Sequence, residues 1–400
     1  MNKEALGHSG QMGPSTRSVH LSQRIDPATH AVVPPIVQNA AFAYETLEQW
    51  LDVALKKEAG DIYSRNSNPT TRIFEEKIAE LEGAEAATSF STGMAAISTT
   101  LFALLSTGQR AVSVKDCYGG TYLTFTHILP RFGVESVVCE TDDHDQIEAE
   151  IAKGCDVLYL ETPTNPTLKV VDLERLFKAG HAAGAVTIVD NTFATPLNQT
   201  PMALGADLVI HSATKFLGGH GDLLGGVVCG KKDWVKKVYE YREIIGPSMD
   251  PNTAFLLLRS LKTLGLRIER QNKNALAIAR FLETQPQVSQ VNYPGLESHQ
   301  NYEIARKQMH GGFGGMLSFD LQGGFEAVSR FLPKLKYAYM AANLGQVETI
   351  VGPPATTSHV ELTKEERAEA GIPEGLIRYS VGIEDIEDLI ADLTQAFQAL

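Results

Sequence analysis

An α/β protein with a mostly parallel sheet, followed by a smaller α+β C-terminal part, is the fold class that two features of this sequence predict. Runs such as VLYLE and VTIVD are apolar on consecutive residues, as expected for parallel strands covered on both faces by crossover helices. Short β-branched runs also alternate with helical patterns between Asp61 and Pro251: RAVSVKD, VESVVCET, CDVLYLET, AVTIVDNT, DLVIHSAT and GGVVCGK read as strands. The chain then divides into an N-terminal arm over residues 1–60, an α/β domain over 61–251 and a C-terminal α+β domain over 252–400. The arm holds turn residues, an apolar VVPPIV and a short amphipathic TLEQWLDVALKK, too little to bury a core alone. The third stretch opens on DPNTAFLLLRSLKTLGLRIERQNKNALAIARFLE, helical in period with Asp and Pro at its start and a break expected near Gly265. GGMLSFDL and LIRYSVG follow as strands, and DIEDLIADLTQAFQAL as a closing helix.

Composition narrows the partners. With 400 residues, 43% hydrophobic and 21% charged, the chain has ample material for cores. Its net charge of -13, from 48 acidic against 35 basic residues, repels nucleic acid and anionic membrane. Cys117, Cys139, Cys155 and Cys229 are scattered without metal-ligand spacing, so no metal site is expected and a reducing cytoplasm fits. The first residues, MNKEALGHSGQMGPSTRSVHLSQ, are polar and lack the apolar run of a signal peptide.

The chemistry gathers at strand ends. In VTIVDNT, Asp190 follows four apolar residues and stands where a buried parallel sheet opens to ligands. DLVIHSATKF places Ser212, Thr214 and Lys215 beyond another apolar run, before a glycine-rich FLGGHGDLLGG that lets backbone approach a ligand. Singly these have ordinary explanations: a capping aspartate, a solvated lysine, a loop. Together they suit pyridoxal 5'-phosphate. A lysine amine forms a Schiff base with its aldehyde, flanking hydroxyls donate to its phosphate, and a carboxylate pairs with the protonated ring nitrogen, keeping the ring an electron sink.

YSRNSNPTTR, ETPTNPT, IVDNTFATP, HSATKFLGGHGD and EGLIRYSVGIED, in this order and nearly end to end, resemble the cysteine and methionine metabolism family of pyridoxal-phosphate enzymes. That family includes cystathionine γ-synthase, cystathionine γ-lyase and β-lyase, methionine γ-lyase and the homoserine-ester sulfhydrylases. The resemblance implies fold type I, the aspartate-aminotransferase architecture. It also implies roles by motif: Lys215 as the Schiff-base lysine, Asp190 as partner of the ring nitrogen, and Ser212, Thr214 and the amides of Gly93 and Met94 in STGMAAI as phosphate contacts. In that motif a loop enters a helix, whose N-terminus would favour that anion. Tyr63 and Arg65 of YSR resemble residues that reach a neighbouring subunit's phosphate, which implies a dimer that shares active sites and is commonly paired into a tetramer. Tyr118 in DCYGGTY resembles the aromatic stacked on the ring and donating a proton to the leaving group. Asn165 resembles the asparagine beside the ring hydroxyl, and Arg378 the clamp for a substrate α-carboxylate.

The implied reaction on a small amino-acid substrate runs from a Cα carbanion, the quinonoid, to a β,γ-unsaturated intermediate. Hydrolytic release from it is γ-elimination, and capture by a thiol or sulfide is γ-replacement. Departures from familiar members bear on that choice. Methionine γ-lyases typically carry cysteine where Gly120 stands, and Cys117 lies on the other side of Tyr118. Ala342 takes the place where cystathionine γ-lyases and γ-synthases often have glutamate. Asn343, taken as a substrate-binding residue, resembles the homoserine-ester sulfhydrylases, whereas Gln346, Val347, Pro353 and Pro354 follow no subgroup. The reading is a γ-lyase acting on a methionine, cystathionine, O-acylhomoserine or canavanine type of substrate, the acidic surplus favouring a cationic one. A γ-replacement synthase is the alternative, and a catalytically silent relative the remote one.

Overall fold

A computed structural model describes residues 12–400 apart from 23, 24, 358, 359, 361, 362 and 370. The first eleven residues of the arm and the Ser-His end of PPATTSH therefore lie outside the described residues. Two sheets organise the chain. The larger has seven strands: β1 (Ala86–Phe90), β2 (Arg110–Val114), β3 (Glu135–Cys139), β4 (Val157–Glu161), β5 (Val186–Asp190), β6 (Leu208–His211) and β7 (Gly226–Gly230). Their spatial order is β1-β7-β6-β5-β4-β2-β3. The pairs among β6, β5, β4, β2 and β3 are parallel, whereas β7 runs antiparallel to both of its neighbours. All residues of β4 and β5 are buried, which is why VLYLE and VTIVD lack alternation.

The two faces of this sheet pack against different helices. On one side Val189, Val209 and Cys229 meet Phe74, Ile78 and Leu81 of the helix Pro69–Glu82. That helix starts where Asn68 accepts the Thr70 amide with Pro69 at its first position, and it stops at Gly83, whose φ is 70°. Phe74 is fully buried there, so Phe74→Ala is expected to cost about 3–5 kcal/mol. On the other side Ile188, Ile210 and Val228 pack with Ala96, Ile97 and Leu101 of the helix Gly93–Leu104.

The smaller sheet holds β8 (Val288–Asn292), β9 (Met316–Leu321), β10 (Tyr339–Met340), β11 (Ile350–Gly352) and β12 (Leu376–Ser380), in the order β10-β11-β12-β9-β8. Only β10 and β11 pair in parallel. The long helical stretch breaks at Lys262 and Thr263 into helices Pro251–Leu261 and Leu264–Glu283. Ala254, Leu257 and Leu261 join the larger sheet's core, as do Leu264 and Ile268; further along, Ala275, Ile278 and Leu282 join the smaller sheet's core. One helix thus spans both cores and carries β12 into reach of the larger sheet's carboxyl ends. No described helix is long and apolar enough to cross a membrane.

Candidate active site

Parallel β4, β5 and β6 deliver their last residues to one edge. Glu161 and Asp190 are in register across the β4–β5 ladder, and the chain leaves β6 through Ser212 into the turn that carries Lys215. Asp190 is buried, and its Oδ1 accepts the Thr192 amide at 2.9 Å. Thr192 Oγ1 in turn accepts the Ser212 amide at 2.9 Å, tying the two strand ends together. Burial raises the Asp190 carboxyl above its ordinary range, opposed by the Thr192 bonds and by His211. A cation placed against this carboxylate would relieve its desolvation, as a protonated ring nitrogen does.

Lys215 is the centre of a second set of bonds. Its Nζ donates to Asn343 Oδ1 at 2.7 Å. Arg378 on β12 donates from Nη1 to Asn165 Oδ1 at 3.1 Å and from Nη2 to the Asn343 carbonyl at 3.3 Å. Lys215, Asn343, Arg378 and Asn165, spread over more than two hundred residues of sequence, thereby share one cluster. Burial and the Arg378 charge push the Lys215 amine down to about 8. Arg378 itself is buried and pushed down to about 10 by desolvation. A buried guanidinium with two side-chain and carbonyl acceptors still has donors to offer a carboxylate.

Tyr118 stands beside this cluster. It is 43% exposed, it lies near enough to Arg378 to act on it electrostatically, and its amide donates to Glu161 Oε2 at 2.9 Å. Gly93 and Met94 open the helix Gly93–Leu104, where the Thr92 hydroxyl accepts the Ala95 amide at 3.0 Å. As first residues of a helix, Gly93 and Met94 have amides with no carbonyl one turn earlier. A Cβ on Gly93 would lie 2.7 Å from Ser212 Cβ and Oγ, so that close approach requires glycine. Thr214 Oγ1 bonds both ways with Gly225, accepting its amide at 3.0 Å and donating to its carbonyl at 3.2 Å.

Tyr63 and Arg65 are placed differently. Arg65 Nη1 donates to the Glu243 carbonyl, its guanidinium stands 5.5 Å over the Tyr63 ring, and Tyr63 is 44% exposed. Among the described residues neither bonds to the Lys215 cluster. Glu161, Thr192, Gln346 and Glu348 belong to the site's network without having been singled out for roles there. Glu161 had a signal: VLYLE and VTIVD both end on a carboxylate, at the same point of neighbouring parallel strands.

An open α/β sheet with a desolvated lysine, a buried aspartate and a helix N-terminus at its carboxyl edge defines the pyridoxal-phosphate enzymes of fold type I. The residues fit that cofactor: the lack of a side chain at Gly93 lets the helix N-terminus approach Ser212 closely, Asp190 offers a buried carboxylate, and Lys215 an amine of lowered basicity. The family model for Cys/Met metabolism PLP-dependent enzymes matches residues 15–398, and the chain belongs to that family. It is 46% identical over 369 residues to an L-methionine gamma-lyase of Fusobacterium nucleatum subsp. nucleatum, covering 92% of this chain and 93% of that protein. It is 40% identical over 396 residues to the chloroplastic cystathionine gamma-synthase 1 of Arabidopsis thaliana, covering 98% of this chain and 70% of that protein. Among solved structures, cystathionine gamma synthase of Xanthomonas oryzae pv. oryzae in complex with cystathionine matches with a TM-score of 0.91 at 37% identity, covering 97% of this chain and all of that one.

Proposed function

We propose that this enzyme is a γ-lyase that removes a γ-substituent from an L-α-amino acid. The carrying observation is the Lys215–Asn343–Arg378–Asn165 cluster with Tyr118 beside it, which offers a mobile base, a carboxylate clamp and a proton donor. Bound pyridoxal 5'-phosphate supplies an aldehyde for the substrate amine and a ring that accepts the electron pair left at Cα. Lys215 would hold it covalently, Asp190 its ring nitrogen, Asn165 its ring hydroxyl, and Ser212, Thr214 and the Gly93 and Met94 amides its phosphate. Arg378 binds the substrate α-carboxylate through its forked donors. Lys215, once free, takes the proton from Cα and must give that proton up before it, neutral again, takes one from Cβ; an amine near 8 is suited to both accepting and returning protons at neutral pH. The Tyr118 hydroxyl gives a proton to the departing γ-group.

Relatives named methionine gamma-lyase support elimination over replacement. The lack of a side chain at Gly120, beside the Tyr118 ring, supports a γ-group broader than that of a strict methionine enzyme. A Cβ there would lie 2.9 Å from the Tyr118 ring and 3.1 Å from Met94 Sδ, so a larger residue presses on the proton donor. The exposed Tyr63, with Arg65 bonded away from its own Lys215, supports a dimer in which these two serve the partner's phosphate.

The experiment is release of 2-oxo acid or of homoserine-derived product from methionine, cystathionine, O-acetylhomoserine, O-succinylhomoserine and canavanine, each with and without sulfide or cysteine. Release without a thiol is expected. Turnover of acyl-homoserines only when sulfide or cysteine is present would make the enzyme a γ-replacement synthase instead.

A further inference from the structure

The segment after β10 holds a feature that the reaction above does not use. Asn343 Nδ2 donates to Gln346 Oε1 at 3.0 Å, and Gln346 Nε2 donates to Glu348 Oε2 at 3.0 Å. With the Lys215 bond to Asn343 Oδ1, four side chains form one series from the amine to a carboxylate. The series has a single self-consistent direction. An ammonium only donates and a carboxylate only accepts, so each amide between them must face its oxygen toward Lys215 and its nitrogen toward Glu348. Turning Asn343 over would set N–H groups against the ammonium and oxygen against Gln346 Oε1.

The backbone holds the series rigidly against the lysine turn. Gly345 donates to Ser380 Oγ at 2.8 Å, Val347 donates to the Gly219 carbonyl at 2.9 Å, and Gln271 Nε2 donates to the Gln346 carbonyl at 3.0 Å. Gly219 in turn donates to the Lys215 carbonyl at 2.7 Å.

We propose that Gln346 and Glu348 are positioning residues for Lys215: the Glu348 carboxylate orients two side-chain amides in series, so that Asn343 presents only oxygen to the lysine amine. This rests on Lys215 being the cofactor lysine. Two consequences follow from the direction of the chain. An amine that donates to Asn343 has its lone pair turned away from Asn343 and free to receive a substrate proton. The aligned amide dipoles and terminal carboxylate also favour the protonated amine, opposing the burial and the Arg378 charge that lower it. The other titratable groups nearby are Tyr118, which lies near Arg378, and Asp190, linked through Thr192 to the Ser212 backbone.

The test reads the amine directly in full-length apoprotein. Uptake of pyridoxal 5'-phosphate, fixed with borohydride, requires neutral Lys215, and its rate is followed against pH. In Glu348→Gln and Gln346→Leu the midpoint is expected to fall by roughly half a pH unit or more, with Glu348→Asp moving it back toward the original. An unmoved midpoint in Glu348→Gln, with circular dichroism and Tm unchanged, would overturn the proposal. A shift in Glu348→Gln without one in folded Gln346→Leu would also overturn it, since the charge would then act directly through space. Should Gln346→Leu not fold, the unbranched Gln346→Met takes its place, with the same downward shift expected and an unmoved midpoint overturning the proposal. Lys215→Ala is the control for the underlying reading: fixed cofactor in that variant would remove Lys215 from its role, whatever residues 346 and 348 do.

Discussion

Glu161 and Asp190 end adjacent parallel strands in register, both buried, so two carboxyl groups stand side by side at the mouth of the larger sheet. Burial first, and the Asp190 charge second, push Glu161 well above the usual carboxylate range. The physical outcome is a division of labour. Glu161, pushed up the further of the two, is the more readily protonated and accepts the Tyr118 amide, while the Thr192 bonds and His211 favour the charged form of Asp190.

That division predicts different results from similar substitutions. Glu161→Gln keeps a neutral acceptor for the Tyr118 amide and should change stability by less than about 1 kcal/mol, with cofactor binding retained. Glu161→Ala leaves that amide without its acceptor, costing about 1–3 kcal/mol in urea unfolding, and lowers kcat more than it raises KM because Tyr118 loses its seat. Asp190→Asn removes the charge instead, and is expected to lower kcat about a hundredfold or more. Equal losses in Glu161→Gln and Asp190→Asn would show that both groups are ionised.

Crowding at the phosphate end gives a second expectation. Gly93→Ala puts a methyl 2.7 Å from Ser212, against a strand end that Thr192 and the β6–β7 pairing hold in place. Overpacking of this kind costs about 1–3 kcal/mol. Weaker cofactor affinity together with a lower Tm is expected; equilibrium dialysis and thermal melts check it, and unchanged affinity would place the phosphate elsewhere.

Much of this site was legible in the sequence because its chemistry sits at the ends of contiguous apolar runs. VTIVD, VLYLE and DLVIH declare buried parallel strands, and their first polar residues are the ones that reach the edge. What was not legible depends on pairing across long separations. AATSF has little β-branched character, yet Ala86–Phe90 is a strand because β7 offers it a complete antiparallel ladder from Ala86–Gly230 to Phe90–Gly226. Strands β8 and β10 are hard to read for other reasons: β10 is two residues long, and no residue of β8 is fully buried. The Lys215–Asn343 bond spans 128 positions. Only the placement of β12 against the larger sheet's edge reveals that NLGQVE lies on the lysine turn, and no local pattern in those residues announces it.

Arg378 tests the clamp. Its guanidinium serves Asn165 and the Asn343 carbonyl while fully charged and desolvated. Arg378→Lys keeps a charge but loses the planar fork, so kcat/KM should fall about a hundredfold, mostly through KM, with cofactor still bound. Arg378→Ala would also raise the Lys215 amine above about 8, because the charge that helps to lower it is gone. The uptake midpoint should then move up in pH, and a downward movement would contradict the assigned electrostatics.

Stability at mildly acid pH should depend on a residue remote from this chemistry. His299 is 7% exposed, its Nδ1 accepts the Asn301 amide at 3.2 Å, and burial pushes it down to about 4. The neighbouring Asp142 charge and the Leu168 backbone oppose that shift without reversing it. The folded protein therefore holds His299 neutral, whereas the unfolded chain protonates it near its ordinary value of about 6.5. The unfolded state binds the extra proton between these values, so the contribution is full above pH of about 6.5 and is lost as pH falls toward about 4. The shift corresponds to about 3 kcal/mol, an order of magnitude figure. His299→Gln, which carries no titrating ring, should flatten the decline in unfolding free energy over that window, measured in urea at constant ionic strength. A slope identical to that of the unsubstituted protein would mean that other groups, and not His299, take up the acid-range proton.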